Sequence, residues 1–235
     1  EELKTLYGIQ FNQDIAAAVR QADVVILTIK PQRNQQVFRN LRGVIPPEAL
    51  LISIVAGTSI TMLAKGLEHA HIVRAMPNTP AQIGQGISVW TASPAVTDEQ
   101  ISLSRNIFTA LGKDIYVEEE SYLDMATALS GTGPAYVFLF MEALIDSGVH
   151  LGFPRRIAEE LVIQTLRGSV EYYAEKKDHP AHLRNEVTSP GGTSAAALYY
   201  LEKAGLRTAI SRAVWAAFER SQELGEGKST HSPES

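Results

Sequence analysis

Ala22–Lys30, ADVVILTIK, is β-branched and almost continuously apolar, the pattern of a strand buried on both faces of a parallel sheet. Leu50–Gly57 (LLISIVAG) is a second such run, and Ile72–Pro77, Gly86–Ala92 and Asp114–Glu118 are shorter candidates. Between them lie stretches with helical periodicity: Asp14–Gln21, Gln35–Leu41, Ile60–Leu67 and Asp98–Leu111, the last with Thr97 placed to cap it. Strands that alternate with helices predict a doubly wound parallel α/β sheet over residues 1–120.

After Glu120 the strand signal stops. Ser121–Ser147 is apolar at helical spacing, interrupted by Gly131-Thr132-Gly133-Pro134. Pro154–Lys176, Ser194–Lys203 and Leu206–Leu224 read as further helices, with Pro154 in a first turn where its missing N–H costs nothing. Residues 121–225 therefore form an all-helical domain. Its helices include AYVFLFMEALI, which is apolar most of the way round, so a partner subunit is expected to cover part of it. The small polar tail 226–235 is expected to be disordered.

Composition narrows the classes. A 45% hydrophobic, 20% charged chain of 235 residues has an ordinary globular makeup. The net charge of −5 comes without a block of like charges, so no nucleic-acid surface is expected. The absence of cysteine removes thiolate nucleophiles, disulfides and cysteine-ligated zinc. No uninterrupted apolar run reaches the length of a membrane span, and the start EELKTLYGIQ lacks the features of a signal peptide. The expectation is a cytoplasmic protein with no membrane partner.

Five segments could carry chemistry. In Val187–Glu202, VTSPGGTSAAALYYLE, the Ser189–Gly192 turn leads into an Ala-rich helix with Thr193-Ser194 at its cap. Backbone N–H groups at the positive end of a helix make a seat for an anion, and two glycines let it come close. A small carboxylate fits such a seat; a plain helix cap needs the same residues. Leu129–Tyr136, LSGTGPAY, offers glycines for close approach of a ligand or of another helix. Val73–Pro80 (VRAMPNTP), Thr28–Pro31 (TIKP) and Val55-Ala56-Gly57 stand at strand ends, where open α/β sheets bind ligands and where turns also need small residues.

Taken in order and spacing, ADVVILTIKPQ, LISIVAG, VRAMPNTP, LSGTGPAY, GFPRR and VTSPGGTSAAALYYLE resemble the pyrroline-5-carboxylate reductase family from about Tyr7 to Leu224. The resemblance implies reduction of 1-pyrroline-5-carboxylate to L-proline, the last step of proline biosynthesis, with NADPH and with NADH as the possible substitute. It implies a homodimer of interleaved helical domains, with decamers in some members. Thr28, Ile29, Lys30, Pro31, Val55, Ala56 and Asn78 match the family's cofactor contacts. Ser189, Gly191, Gly192, Thr193 and Ser194 match its substrate loop, and Glu120 and Thr127 match positions lining the same pocket. Thr193 and Ser194 are the catalytic candidates. Where this chain has Ser194 the family usually has threonine, and serine keeps the hydroxyl.

The family begins with a strand, a glycine-rich loop and a helix, and position 1 here corresponds to a point after its second strand. About 40 residues, one βαβ unit, precede that point in the family, so the resemblance implies an incomplete Rossmann-type sheet. A chain without that unit is expected to bind the cofactor weakly and to show little activity, with the helical dimer intact. The rivals are a non-catalytic form that keeps the helical dimer, or a related imine reductase or β-hydroxyacid dehydrogenase. His69 and His71 lack a third ligand nearby for a metal site. His179 and His182 flank a helix start as capping or surface groups, Arg155-Arg156 suits a solvated or interface role, and Lys30 has no partner that would make it a catalytic amine.

Overall fold

The structure, a computed structural model, describes residues 2–225. The tail 226–235, expected to be disordered, lies outside the described residues. The chain forms two compact units. One runs to Thr132 and takes in the chain from Ala216 onward; the other is Gly133–Trp215. The division expected at 120/121 followed the end of the strand signal, whereas residues 121–132 pack with the sheet.

The first unit is a five-stranded sheet in the order β1 (Val24–Leu27), β2 (Leu50–Ser53), β3 (Ile72–Met76), β4 (Gly86–Ala92), β5 (Gly112–Tyr116). Helices α1 (Glu2–Tyr7) and α2 (Ile15–Val19) precede β1, and α3 (Asn34–Leu41), α4 (Ile60–Leu67) and α5 (Asp98–Ala110) connect the strands. Alternation on β2 builds two cores. Leu51 joins Val25, Leu27, Leu63 and Leu67 on the side of α3 and α4, while Leu50 and Ile52 join Val73, Trp90 and Phe108 on the side of α5. The Rossmann-type α/β class stands, with helices on both faces of the sheet.

Two details differ from the expected parallel, doubly buried sheet. β4 runs antiparallel to β3, whereas β1–β2, β2–β3 and β4–β5 are parallel. The β3–β4 connection, residues 77–85, is a short 3-10 turn at Thr79–Ile83, and a parallel crossover needs about a dozen residues or more. β1 is buried on one face only, with Ile26 48% exposed, because α5 packs over the strands further along and no described element covers Ile26. Helix α5 begins as expected at Thr97, which forms a capping box with Gln100.

Among the described residues no group of three potential metal-ligating side chains gathers, at His69 and His71 or elsewhere. His69 is 6% exposed and its Nε2 lies 2.7 Å from the Ala49 carbonyl oxygen. Burial holds its pKa below the ordinary 6.5 against the opposing effect of that bond. The folded state therefore binds fewer protons than the unfolded state just below pH 6.5. This contribution to stability is complete above pH 6.5 and declines as pH falls through the window between 6.5 and the depressed value. The melting temperature should fall more steeply across that window in the native protein than in His69→Gln. Parallel curves would refute the assignment.

The second unit holds α7 (Gly133–His150), α8 (Arg155–Lys176), α9 (Pro180–Glu186), α10 (Thr193–Lys203) and the first part of α11 (Leu206–Gly225). Pro154 is the N-cap of α8, one position before the expected first turn. His179 caps α9 through its Nδ1, which accepts from the Ala181 N–H, as the sequence suggested. Ala158 is the one fully buried apolar residue among this unit's described residues. Phe138, Leu139, Val170 and Tyr200 are each more than half exposed. The helical run Tyr122–His150, mean hydropathy 1.4, is long and apolar enough to cross a membrane by length and composition. The sequence expectation of no such run counted uninterrupted apolar residues, whereas the helix continues through Gly131–Pro134.

Candidate functional site

In the sheet unit, the expected cofactor residues gather at the carboxyl ends of β1, β2 and β3. Thr28, Ile29, Lys30 and Pro31 follow β1, with Lys30 exposed and its carbonyl accepting from the Arg33 N–H at 2.8 Å. Val55 and Ala56 follow β2. Val55 is 1% exposed and belongs to the core, so it presents backbone rather than side chain. Asn78 follows β3, and its Oδ1 accepts from the Ile87 N–H at 3.0 Å, pinning the start of β4. The TIKP and VAG loops are tied together, because Asn34 Nδ2 donates to Thr58 Oγ1 at 2.8 Å. A cavity of about 570 Å³ opens beside Ile29, lined also by Asp14, Ile15, Arg33 and Gln36.

Glu120 and Thr127, expected to line the substrate pocket, are already engaged. Arg74, 3% exposed on β3, donates from Nη1 to Glu120 Oε1 and from Nη2 to Asp124 Oδ1, both at 2.9 Å. Glu120 Oε1 also accepts from the Ile60 N–H at 2.7 Å, in the first turn of α4. Asp124 lies on α6 (Tyr122–Ala126) and its Oδ1 accepts from Ser221 Oγ at 2.9 Å. Thr127 opens a π-helical turn, Thr127–Gly131, and its hydroxyl donates to the Leu123 carbonyl at 2.7 Å. A π turn inside a helix often marks a functional position, and this one falls on the LSGTGPAY motif. Arg74 and Asp124 escaped the sequence reading. Their only signal was a lone arginine within an apolar strand.

In the helical unit, the bend before α10 stands open. Ser189, Gly191 and Thr193 are exposed, and Gly192 and Ser194 are half-buried. The N-cap is Gly192, so Thr193 and Ser194 occupy the first helical turn and do not cap α10 as expected. The shift follows from the turn at Ser189: the Gly192 N–H donates to the Ser189 carbonyl, and a Cβ on Gly192 would stand 2.6 Å from Ser189 Oγ. Gly191 has φ +71° with open space around it, a conformation that costs other residues about 1–2 kcal/mol. Because Gly192 has no side chain to turn inward, the N–H groups of Thr193, Ser194 and Ala195 open α10 without a side-chain cap.

A family model described as pyrroline-5-carboxylate reductase dimerisation matches residues 120–224. A second, described as NADP oxidoreductase coenzyme F420-dependent, matches residues 1–57. The pyrroline-5-carboxylate reductase of Synechocystis is 43% identical over 223 residues, covering 95% of this chain and 83% of the relative. That of Glycine max is 40% identical over 213 residues, covering 91% and 76%. Among solved structures, the Plasmodium falciparum pyrroline carboxylate reductase with NADP bound superposes with a TM-score of 0.87 at 35% identity, covering 92% of this chain and 82% of that one. The Streptococcus pyogenes 1-pyrroline-5-carboxylate reductase gives 0.89 at 31% identity, covering 94% and 84%.

Proposed function

The chain belongs to the pyrroline-5-carboxylate reductase family, and from that premise we infer that it reduces 1-pyrroline-5-carboxylate to L-proline through the residues that follow. The related imine reductases and β-hydroxyacid dehydrogenases lose ground here, since the relatives at 40–43% identity over more than nine-tenths of the chain are pyrroline-5-carboxylate reductases.

The sheet unit fits a dinucleotide. Thr28 follows β1, Ala56 and Gly57 follow β2, and Arg33, a cation suited to a phosphate, lines the cavity beside Ile29. Thr28–Pro31, Val55, Ala56 and Asn78 hold the cofactor in this reading, Val55 by backbone alone. The nicotinamide, when bound, supplies the hydride that adds to C5 of the imine. We assign NADPH over NADH, supported by the NADP-named family model and by the NADP in the Plasmodium relative.

The α10 bend does the rest. N–H groups at Thr193, Ser194 and Ala195, with Ser189 and the bend's glycines, seat the carboxylate. Ser194 Oγ faces the ring nitrogen and relays the proton that makes the imine a cation and so a better hydride acceptor. Thr193 adds a second hydroxyl at the same bend. Most of the acceleration comes from holding two reactants in register.

The exposed apolar side chains of α7, α8 and α10 support a homodimer, and assembly of dimers into decamers is the finer form of that proposal. A second copy, rather than a lipid bilayer, covers the Tyr122–His150 run. The cytoplasm is the proposed compartment.

The observation that carries the reading is the open bend with first-turn N–H groups and no obstructing side chain. Its test is a comparison of 1-pyrroline-5-carboxylate with 1-pyrroline, the same ring without its carboxylate, in the full-length protein. Charge-assisted hydrogen bonds to a carboxylate contribute about 2–3 kcal/mol, so KM for 1-pyrroline should be at least about thirtyfold higher. Equal KM values for the two imines would overturn the carboxylate seat.

A further inference from the structure

We propose that the last turn of α11 is a clamp on the Val55–Gly57 loop, and that Ser221 and Gly225 are positioning residues for cofactor binding. The proposal rests on the reading that this loop lines the cofactor.

Two independent contacts carry it. The first is a backbone-to-backbone approach. Gly57 has φ +70°, and a Cβ there would stand 2.7 Å from both the Gly225 nitrogen and the Ser221 carbonyl oxygen, and 2.9 Å from Leu224 Cβ. A Cβ on Gly225 would in turn overlap the Gly57 carbonyl oxygen. The approach leaves no room for a side chain at 225. The second contact is the anchor. Ser221, 2% exposed, donates to Asp124 Oδ1, the oxygen that also accepts from buried Arg74.

The loop is held at its other points as well. The Ile60 N–H donates to Glu120 Oε1 at 2.7 Å, and Thr58 Oγ1 accepts from Asn34 at 2.8 Å. The Val55–Ile60 segment is thus fixed from α3, from the Arg74 network and from α11. Of these three, α11 is the hold that presses on the glycine immediately after Ala56. Loosening it frees the carbonyl and N–H groups of Val55 and Ala56 to move, while the α10 bend keeps its own turn.

The test uses Ser221→Ala and Gly225→Ala in the full-length protein, with NADPH affinity read by calorimetric titration and with steady-state kinetics. A displacement of this kind should raise the NADPH dissociation constant about tenfold in both variants, with kcat at saturating NADPH and KM for the imine held within about twofold. A lowered kcat with unchanged NADPH affinity would mark a merely structural role and overturn the clamp. Should Gly225→Ala fail to fold by circular dichroism, Ser221→Ala decides the matter alone. Ala56→Leu separates the two layers of the argument. If it weakens NADPH binding while the α11 variants bind as the native protein does, the clamp is wrong and the loop assignment stands. If it too binds normally, the loop does not line the cofactor and the clamp falls with that reading.

Discussion

Replacing Arg74 with methionine should lower stability by about 3–5 kcal/mol, the cost of stranding a buried ion pair's partner. Methionine fills most of the volume but donates nothing. Glu120 and Asp124, with side chains 30% and 19% exposed, would keep part of their hydration, which puts the outcome near the lower end. For a chain of this size each kcal/mol moves the melting temperature by about 2–4 °C, so a fall of about 10 °C is expected by calorimetry. The bonds at risk are two charge-assisted contacts of 2.9 Å, and they offset an Nε of the same arginine that is buried without a partner. A drop of less than about 2 °C would mean that the carboxylates relax into solvent and that the network is no keystone.

The second large effect concerns turnover. Ser194→Ala removes the hydroxyl assigned to the ring nitrogen and leaves the backbone N–H groups of the first turn in place. Loss of a positioned proton relay should cost about 10²-fold in kcat, with NADPH affinity within about twofold of the native value. Ser194→Thr should recover most of the loss, because it restores the hydroxyl. If Ser194→Ala turns over as the native protein does, the proton comes from elsewhere, and the role passes to Thr193 or to solvent.

Some of this molecule could be read from its residues and some could not, and the dividing line is physical. All five strands and α3, α4 and α5 announce themselves locally, because a β-branched apolar run such as Leu50–Gly57 or the cap at Thr97 is a short-range property. The direction of β4 depends on what the nine residues from Pro77 to Gln85 can span, a matter of reach rather than pattern. Arg74 pairs with residues 46 and 50 positions away, and no window along the chain connects them. Gly57 was legible as a residue needing freedom, but its reason was misread. It looked like room for a dinucleotide, and what approaches it is the end of α11. The α10 bend was legible in kind and off by one position, since a turn closed by Ser189 leaves Gly192 to begin the helix.

The sequence distance within the Arg74 network has a consequence during synthesis. A ribosome that adds about 5–20 residues each second exposes Arg74 seconds before Glu120 and Asp124 leave the exit tunnel, and Ser221 follows Asp124 by another 97 positions. Until then β3 carries an uncompensated cation that resists being drawn into a greasy interior.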